Sequence, residues 1–174
     1  IIIIGTITVF KQMSFVQNKS LGFDKENIVT IPTESSSVRD GLESFKNNLL
    51  AGAGIKSVSA SSNIPGTKSM YDTNFKRKDN GETYNLILLL TDFDFIKTYG
   101  LEMADGRPFS KEYGNDFEGS FLINEKAAQT LGYTAQTAVG KKLSMPLDAD
   151  KARESKIVGV VKDFHIQSLK LKIQ

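Results

Sequence analysis

Apolar residues are spread unevenly along this chain, and the opening stretch is the most uneven. Ile1 to Phe10 is almost wholly apolar and uncharged, whereas Lys11 to Asn27 is polar with apolar residues at positions such as Met13, Val16 and Phe23. That gradient fits a helix that leaves a bilayer and continues into water as a stalk. Helical rise is ~1.5 Å per residue, so the apolar run covers about half of a ~30 Å hydrocarbon core and makes the end of a span, not a whole one. The competing reading is a buried strand, because isoleucine, threonine and valine are β-branched and pack well in sheets. A short apolar run is not assigned by periodicity alone. Two features favour the helix: Phe10, Met13 and Val16 recur at three-residue spacing, and Gly22 stands where a helix closes with a left-handed residue. No basic region precedes the run and no small-residue cleavage site follows it, which argues against a signal peptide. The chain starts without Met and is expected to be a piece of a longer protein.

Further along, Asn27 to Pro32 reads as a short strand stopped by proline. Ser36 or Ser37 caps an amphipathic helix from Val38 to Leu50, with Val38, Leu42, Phe45, Leu49 and Leu50 on one face and Arg39, Asp40, Glu43, Lys46 and Asn47 on the rest. Ala51-Gly52-Ala53-Gly54 ends it, and Ile55 to Ser61 alternates at period two, so residues 27–61 read as strand–helix–strand. Thr73–Lys78 and Thr83–Leu90 are predicted strands around the hairpin turn Asp79-Asn80-Gly81-Glu82. Thr91 to Gly100 reads as a short capped helix, Leu101–Met103 as a brief strand and Glu112–Glu118 as a flexible acidic loop. Ser120–Ile123 is a predicted strand, Asn124 caps a helix from Glu125 to Leu131 that stops at Gly132, and Lys156–Phe164 is the last clear strand. Strands and helices are interspersed, which gives an α+β fold with at least one βαβ unit.

Composition narrows the function. The 174 residues suffice for one domain or two small lobes, and 40% hydrophobic with 24% charged residues excludes a disordered chain. The net charge of +2 arises from well-mixed charges without a basic run, so no nucleic-acid partner is expected. The absence of cysteine removes disulfides, thiol nucleophiles and cysteine zinc sites, and the single histidine, His165, rules out a two-histidine metal site within the chain.

The candidate chemistry is thin. Ala51–Gly54 follows a helix and opens a strand, the reverse of a phosphate-binding loop, and reads as a helix stop. Asp92 and Asp94 form a carboxylate pair that is explained more simply as a cap with favourable charge on a helix dipole. Asp163 and His165 share one face of an extended strand, and a small hydrolase built on them needs a serine that no Gly-x-Ser-x-Gly elbow supplies. Asp148, Asp150 and Glu154, with Lys151 and Arg153, read as a solvated loop without calcium-loop spacing. No catalytic, cofactor-binding or metal-ligating residue and no cofactor is expected.

Several strings in order carry a resemblance. They are Leu21-Gly22-Phe23-Asp24-Lys25-Glu26-Asn27, Ser59-Ala60-Ser61-Ser62-Asn63-Ile64-Pro65-Gly66, Asp92-Phe93-Asp94-Phe95 and Gly106-Arg107-Pro108-Phe109-Ser110. Phe121-Leu122-Ile123-Asn124-Glu125 and Val158-Gly159-Val160-Val161-Lys162-Asp163-Phe164-His165 complete the set. Together they resemble the MacB-like periplasmic core domain of FtsX/MacB-type ABC transporter permeases, over nearly the whole chain. The resemblance implies a two-lobed α+β domain, a porter-like lobe with a smaller inserted lobe, lying outside the bacterial inner membrane in the periplasm. It divides the chain into the end of a transmembrane helix and stalk (1–22) and an extracytoplasmic core (23–174). The inserted lobe falls roughly within 66–155, and the C-terminal part is cut short. It also implies a non-enzymatic role in mechanotransmission, in which ATP-driven movement crosses the membrane to serve export or an envelope partner. The implied partners are a cytoplasmic ABC ATPase subunit, a second permease copy or half, the membrane, and a periplasmic adaptor or envelope lipoprotein. Read without the resemblance, the rivals are a free-standing soluble α+β binding protein, with Ile1–Phe10 as a core strand, and the small hydrolase.

Overall fold

The computed structural model describes residues 2–18, 21–24, 26–33, 40–65, 67, 71–114, 116–148 and 151–166. The opening stretch is the helix α1 (Ile2–Asn18), not a strand of the core. Ile3, Ile4, Ile7, Val9, Phe10 and Met13 are all exposed along it. Among the described residues no helix is long and apolar enough to cross a membrane. In the second helix, α2 (Leu42–Leu50), the expected apolar face is half-buried at Leu42, Phe45 and Leu49, but Leu50 is exposed and Lys46, expected on the polar face, is buried. The cap at Ser36 or Ser37, and Val38 and Arg39, lie outside the described residues. The Ala51–Gly54 stop forms as expected, with the Ala51 N–H donating to the Asn47 carbonyl at 3.0 Å and the Gly52 N–H to that of Leu49 at 2.9 Å.

The hairpin at Asn80-Gly81 joins β1 (Tyr71–Arg77) to β2 (Thr83–Leu88), antiparallel from Tyr71↔Leu88 to Lys76↔Thr83. Gly81 takes φ 76° at the turn, a left-handed position that a side chain disfavours. Period-two alternation buries Phe75 and Leu86 on one face. Next come the short helix α3 (Phe95–Thr98), β3 (Met103–Gly106), α4 (Asp116–Gly119) and β4 (Ser120–Asn124). In α5 (Glu125–Thr130), the expected cap is present: Asn124 Oδ1 accepts the Ala127 N–H at 3.0 Å. A second short helix, α6 (Ala135–Ala138), is opened by a Thr134/Thr137 capping box. The sheet is completed by β5 (Lys142–Asp148) and β6 (Lys151–Val161).

Strand β6 is the hub of the sheet, whose path runs β2-β1-β5-β6-β3 with β4 also on β6. Its first half pairs with β5, and its second half pairs antiparallel with β3 and parallel with β4. A parallel pair needs a long crossover, and here the crossover runs through α5, α6 and β5. The parallel unit is thus at β4 and β6. Residues 27–32 and 55–61, expected as the strands of a strand–helix–strand unit, carry no strand ladder. At the end of the second, Ser61 bridges singly to Thr91, and the Ala60 carbonyl accepts the Asp92 N–H at 2.9 Å.

Two further expectations are corrected. The acidic stretch Glu112–Glu118 is not a solvated loop throughout, because Asp116 is buried at its centre. Asp148, Lys151, Arg153 and Glu154 belong to the β5–β6 hairpin, with Asp148 opposite Lys151 and Met145 opposite Arg153. Asp150 lies outside the described residues.

Burial divides the interior in two. A sheet core gathers Phe75, Leu86, Ile123, Ala127, Leu131, Leu143, Ile157 and Val160, with helices α5 and α6 packed on the sheet. A smaller, more aromatic core gathers Phe95, Tyr99, Leu101, Val161 and Phe164, with Phe23, Ile28 and Ile166 packed against it.

Candidate functional site

The smaller core receives the chain as it leaves α1, and the residues that make this joint run from Leu21 to Asp24. The Leu21 carbonyl accepts the His165 N–H at 2.7 Å, and the Asp24 N–H donates to the Tyr99 carbonyl at 2.9 Å. Between these two anchors the Phe23 ring meets Tyr99 edge-on, with centroids 5.6 Å apart. Gly22 sits at φ 78°. A Cβ there would lie 2.6 Å from the Asp163 carbonyl oxygen and 2.8 Å from Phe164 Cα, so both space and backbone conformation require glycine. The left-handed residue expected after α1 is therefore also the point where the chain is pressed against the end of β6.

Behind the joint, the two residues proposed for hydrolase chemistry have structural duties. The Asp163 carboxylate accepts the Lys126 N–H at 2.8 Å, and the Asp163 N–H donates to Glu125 Oε2 at 3.1 Å. Asp163 thus adds a second cap to α5 beside Asn124 and fixes that helix to the end of β6. The His165 backbone grips Leu21. Among the described residues, no group of three or more His, Cys, Asp or Glu is placed to hold a metal ion.

Two ion clusters brace the surrounding segments, and neither was legible as a pair in the sequence. Lys46, expected on the polar face of α2, is buried, with Nζ 2.6 Å from both Asp92 Oδ2 and Asp94 Oδ2. Burial pushes the ammonium down, but the hydrogen bonds to Asp92 and Asp94 outweigh it and hold its pKa above the ordinary lysine value. Asp92 also accepts the Ser59 hydroxyl at 2.7 Å and the Ala60 N–H at 2.9 Å. The carboxylate pair read as a plain helix cap is therefore a clasp that holds α2 and residues 59–60 to the start of α3. Asp94 at the cap position makes no capping hydrogen bond with its side chain.

In the second cluster, Asp116 receives Arg107 through both guanidinium Nη atoms, the Ser110 N–H at 2.9 Å and the Ser120 hydroxyl at 2.9 Å. Arg107 holds this carboxyl below the usual carboxylate range against the opposing pull of burial. The guanidinium also lies 3.7 Å from the centroid of the Tyr113 ring. Arg107 sits in one of the strings that carry the family resemblance, but its partner was placed in a loop.

A cavity of about 460 Å³ opens between the two cores. Its wall includes Leu42, Leu88, Phe109, Phe121, Phe164 and Ile166 and is mostly apolar. What the arrangement offers is a set of backbone and ring contacts that fix Leu21–Asp24 beside an apolar cleft.

The family profile of the MacB-like periplasmic core domain matches residues 1–170. The periplasmic region of MacB from Actinobacillus actinomycetemcomitans is similar at 18% identity and a TM-score of 0.50, covering 72% of this chain and 52% of that one. The extracellular domain of the ABC-type transporter YknZ from Gram-positive bacteria is similar at 20% identity and a TM-score of 0.51, covering 70% of this chain and 57% of that one. At these identities the likeness shows the fold. A domain of a permease protein from Porphyromonas gingivalis aligns at 26% identity with a TM-score of 0.43, over 58% of this chain and 42% of that one. The chain spans about half the length of these solved structures. No curated protein matches it.

Proposed function

We propose a mechanical function, proceeding from the fact that this chain belongs to the MacB-like periplasmic core domain family of ABC transporter permeases. In this reading residues 1–22 are the outer end of a transmembrane helix and stalk, and residues 23–174 are the extracytoplasmic core, with the smaller lobe roughly within 66–155. ATP hydrolysed by a cytoplasmic ABC ATPase subunit moves the stalk of the full-length permease against that of a second copy or half. The core carries the movement to export, or to a periplasmic adaptor or envelope lipoprotein, without chemistry of its own. The location is the bacterial inner membrane with this domain in the periplasm.

The observation that carries the reading is the joint. The apolar first half of α1 is exposed at Ile3, Ile4, Ile7, Val9 and Phe10, and a membrane would cover it. Directly after it, Leu21–Asp24 is fixed at four places by His165, Asp163–Phe164 and Tyr99. A lever needs such a connection between its arm and its load. Fractionation of the full-length protein tests the location, and added protease tests the side: the inner membrane should hold it, with cleavage of this domain from the periplasmic side alone. Recovery of the full-length protein only in the soluble cytoplasm would overturn the reading.

A further inference from the structure

Strand register sorts charges onto the two faces of a sheet, and the outer face of β1, β5 and β6 gathers lysines at one end. Phe75, Leu143 and Ser155 are buried on the inner face, so alternation sets Lys76, Lys142 and Lys156 on the outer one, where all three are exposed. Lys76 pairs with Ser144 and Arg77 with Leu143, and the Lys78 N–H donates to the Lys142 carbonyl at 3.2 Å, which sets Lys78 opposite Lys142. Lys142 in turn stands opposite Lys156. Lys78, Lys142 and Lys156 therefore form a row across adjacent strands, with ~5 Å between neighbouring Cβ atoms. The next row, ~7 Å along the strands, holds Lys76, Ser144 and Glu154.

Like charges directly opposite one another destabilise a sheet, and the nearby acids do not offset this row. Glu154 pairs with Lys78 and lies within electrostatic reach of Lys142. Asp79 is engaged by Arg77 and Tyr133, and Glu82 by Asn80 and Tyr84. Among the described residues, Lys76, Lys142 and Lys156 make no ion pair. A local cost carried on an exposed face without compensation is characteristic of a working surface.

The dimensions of the row select its occupant. A flat anionic bilayer laid on this face would meet Glu154 and the exposed Asp72 of β1 as well as the lysines. An α-helix is ~10–12 Å across, and its side chains three or four positions apart stand ~5–6 Å from one another. Carboxylates along one face of a helix match the lysine row in spacing, and the helix stops short of Asp72, which lies ~20 Å along β1 from Lys78. We propose that Lys78, Lys142 and Lys156 form a docking row for an acidic helix of a partner protein, with Lys76 at its rim. The row stands ~25 Å of extended chain from Phe164 at the joint, so docking leaves the attachment of α1 untouched. The proposal rests on strand register and charge and stands apart from the transport reading.

The probe is a fluorescent, alanine-based helical peptide with glutamates three and four positions apart along one face. A second peptide has the same composition with its glutamates spread around the helix. Fluorescence anisotropy at low ionic strength, with the full-length protein in zwitterionic lipid nanodiscs, should show tighter binding of the one-faced peptide. Added salt should weaken that binding, and Lys142→Glu/Lys156→Glu should weaken it about tenfold. Lys97→Glu/Lys126→Glu, which changes net charge equally at exposed positions elsewhere, should leave it nearly unchanged. No binding, equal affinity for the two peptides, equal loss in both double variants, or preferential flotation with phosphatidylglycerol vesicles would each overturn the proposal. Lys156→Gln supplies an independent reading, because it relieves the repulsion from Lys142. It should raise Tm by about 1–2 °C while weakening peptide binding. A fall in Tm would give the row a structural role and would also overturn the proposal.

Discussion

The sheet core and the joint core differ in how they are closed. Leu131, Ile157 and Val160 are wholly buried in the sheet core, between strand ladders and two capped helices. Their positions follow from periodicity along single elements. The joint core is assembled from separate pieces of chain, namely Phe23, Phe95 and Tyr99, Leu101, and Val161 with Phe164. Its cohesion comes from aromatic contacts and backbone hydrogen bonds that cross between segments, as from Asp24 to Tyr99 and from His165 to Leu21. Stability resides in the first region, and connection to α1 resides in the second. A domain built this way keeps the contacts that hold its sheet apart from those that hold residues 21–24.

The strongest way to break the comparison is to damage the sheet core. Ile157→Ala removes a side chain with no exposed surface from the hub strand, and should destabilise the whole domain by about 3–4 kcal/mol. Urea denaturation followed by circular dichroism and by tyrosine fluorescence should shift together, because both regions unfold with the sheet. Separate transitions would show that the joint core stands alone.

Asp116→Asn comes next, at about 2–3 kcal/mol, because Arg107 loses its charged partner and Asp116 gives up a set of charge-assisted hydrogen bonds. Its pH signature follows from the depressed pKa of the carboxyl. A carboxylate held low in the folded state stabilises fully above its unfolded pKa of about 3.9, and that contribution drains away as pH falls through the folded value. Thermal melts of the unsubstituted chain should therefore decline below about pH 4, and those of Asp116→Asn should decline less steeply over the same interval. Parallel slopes would remove Asp116 from the acid response.

Gly22→Val sharpens the comparison by attacking only the joint. The new side chain meets the Asp163 carbonyl and Phe164, and the chain relieves the overlap by letting go, at about 1–2 kcal/mol. Hydrogen exchange should show lost protection at the Asp24 and His165 amides while the β5–β6 amides keep theirs. Loss of protection in both places would merge the two regions into one. The smallest effect is expected at Ser155, whose buried hydroxyl has no hydrogen-bond partner among the described residues. Ser155→Ala should raise stability by up to about 1 kcal/mol, because it removes an unsatisfied polar group; calorimetric melting would register it as a small rise in Tm.

Much of the sheet core was legible in the sequence. Asn80-Gly81 located the β1–β2 hairpin, Asn124 and Gly132 bounded α5, and the apolar run after Lys156 located β6. Strand β5 was missed although Leu143 and Met145 alternate correctly, because Pro146 interrupts the run where the register with β6 shifts. The strands expected at 27–32 and 55–61 show the converse. The alternation at 55–61 is genuine, as is the β-branched run before Pro32, but a strand also needs a ladder partner, and the chain's own pattern does not reveal whether one exists. The joint was half visible. Gly22 was marked by its place after a helix, whereas its contact with Asp163 and Phe164 spans most of the sequence. The Lys46 clasp was hidden for the same reason, since a lysine on an amphipathic helix is assigned to solvent until its distant carboxylates are known.

The proposed function requires that α1 and the core move as one body through the joint. Electron–electron spin distances in the full-length protein, reconstituted in lipid nanodiscs with the ATPase that the proposed function assigns to it, test it most directly, with labels at Lys11→Cys on α1 and Lys97→Cys on α3. Through the ATP cycle the distance within one copy should stay constant while the distance between Lys97→Cys labels on the two copies changes, and Gly22→Val should broaden the first distribution. A within-copy distance that changes as much as the one between copies, without any substitution at Gly22, would contradict the account.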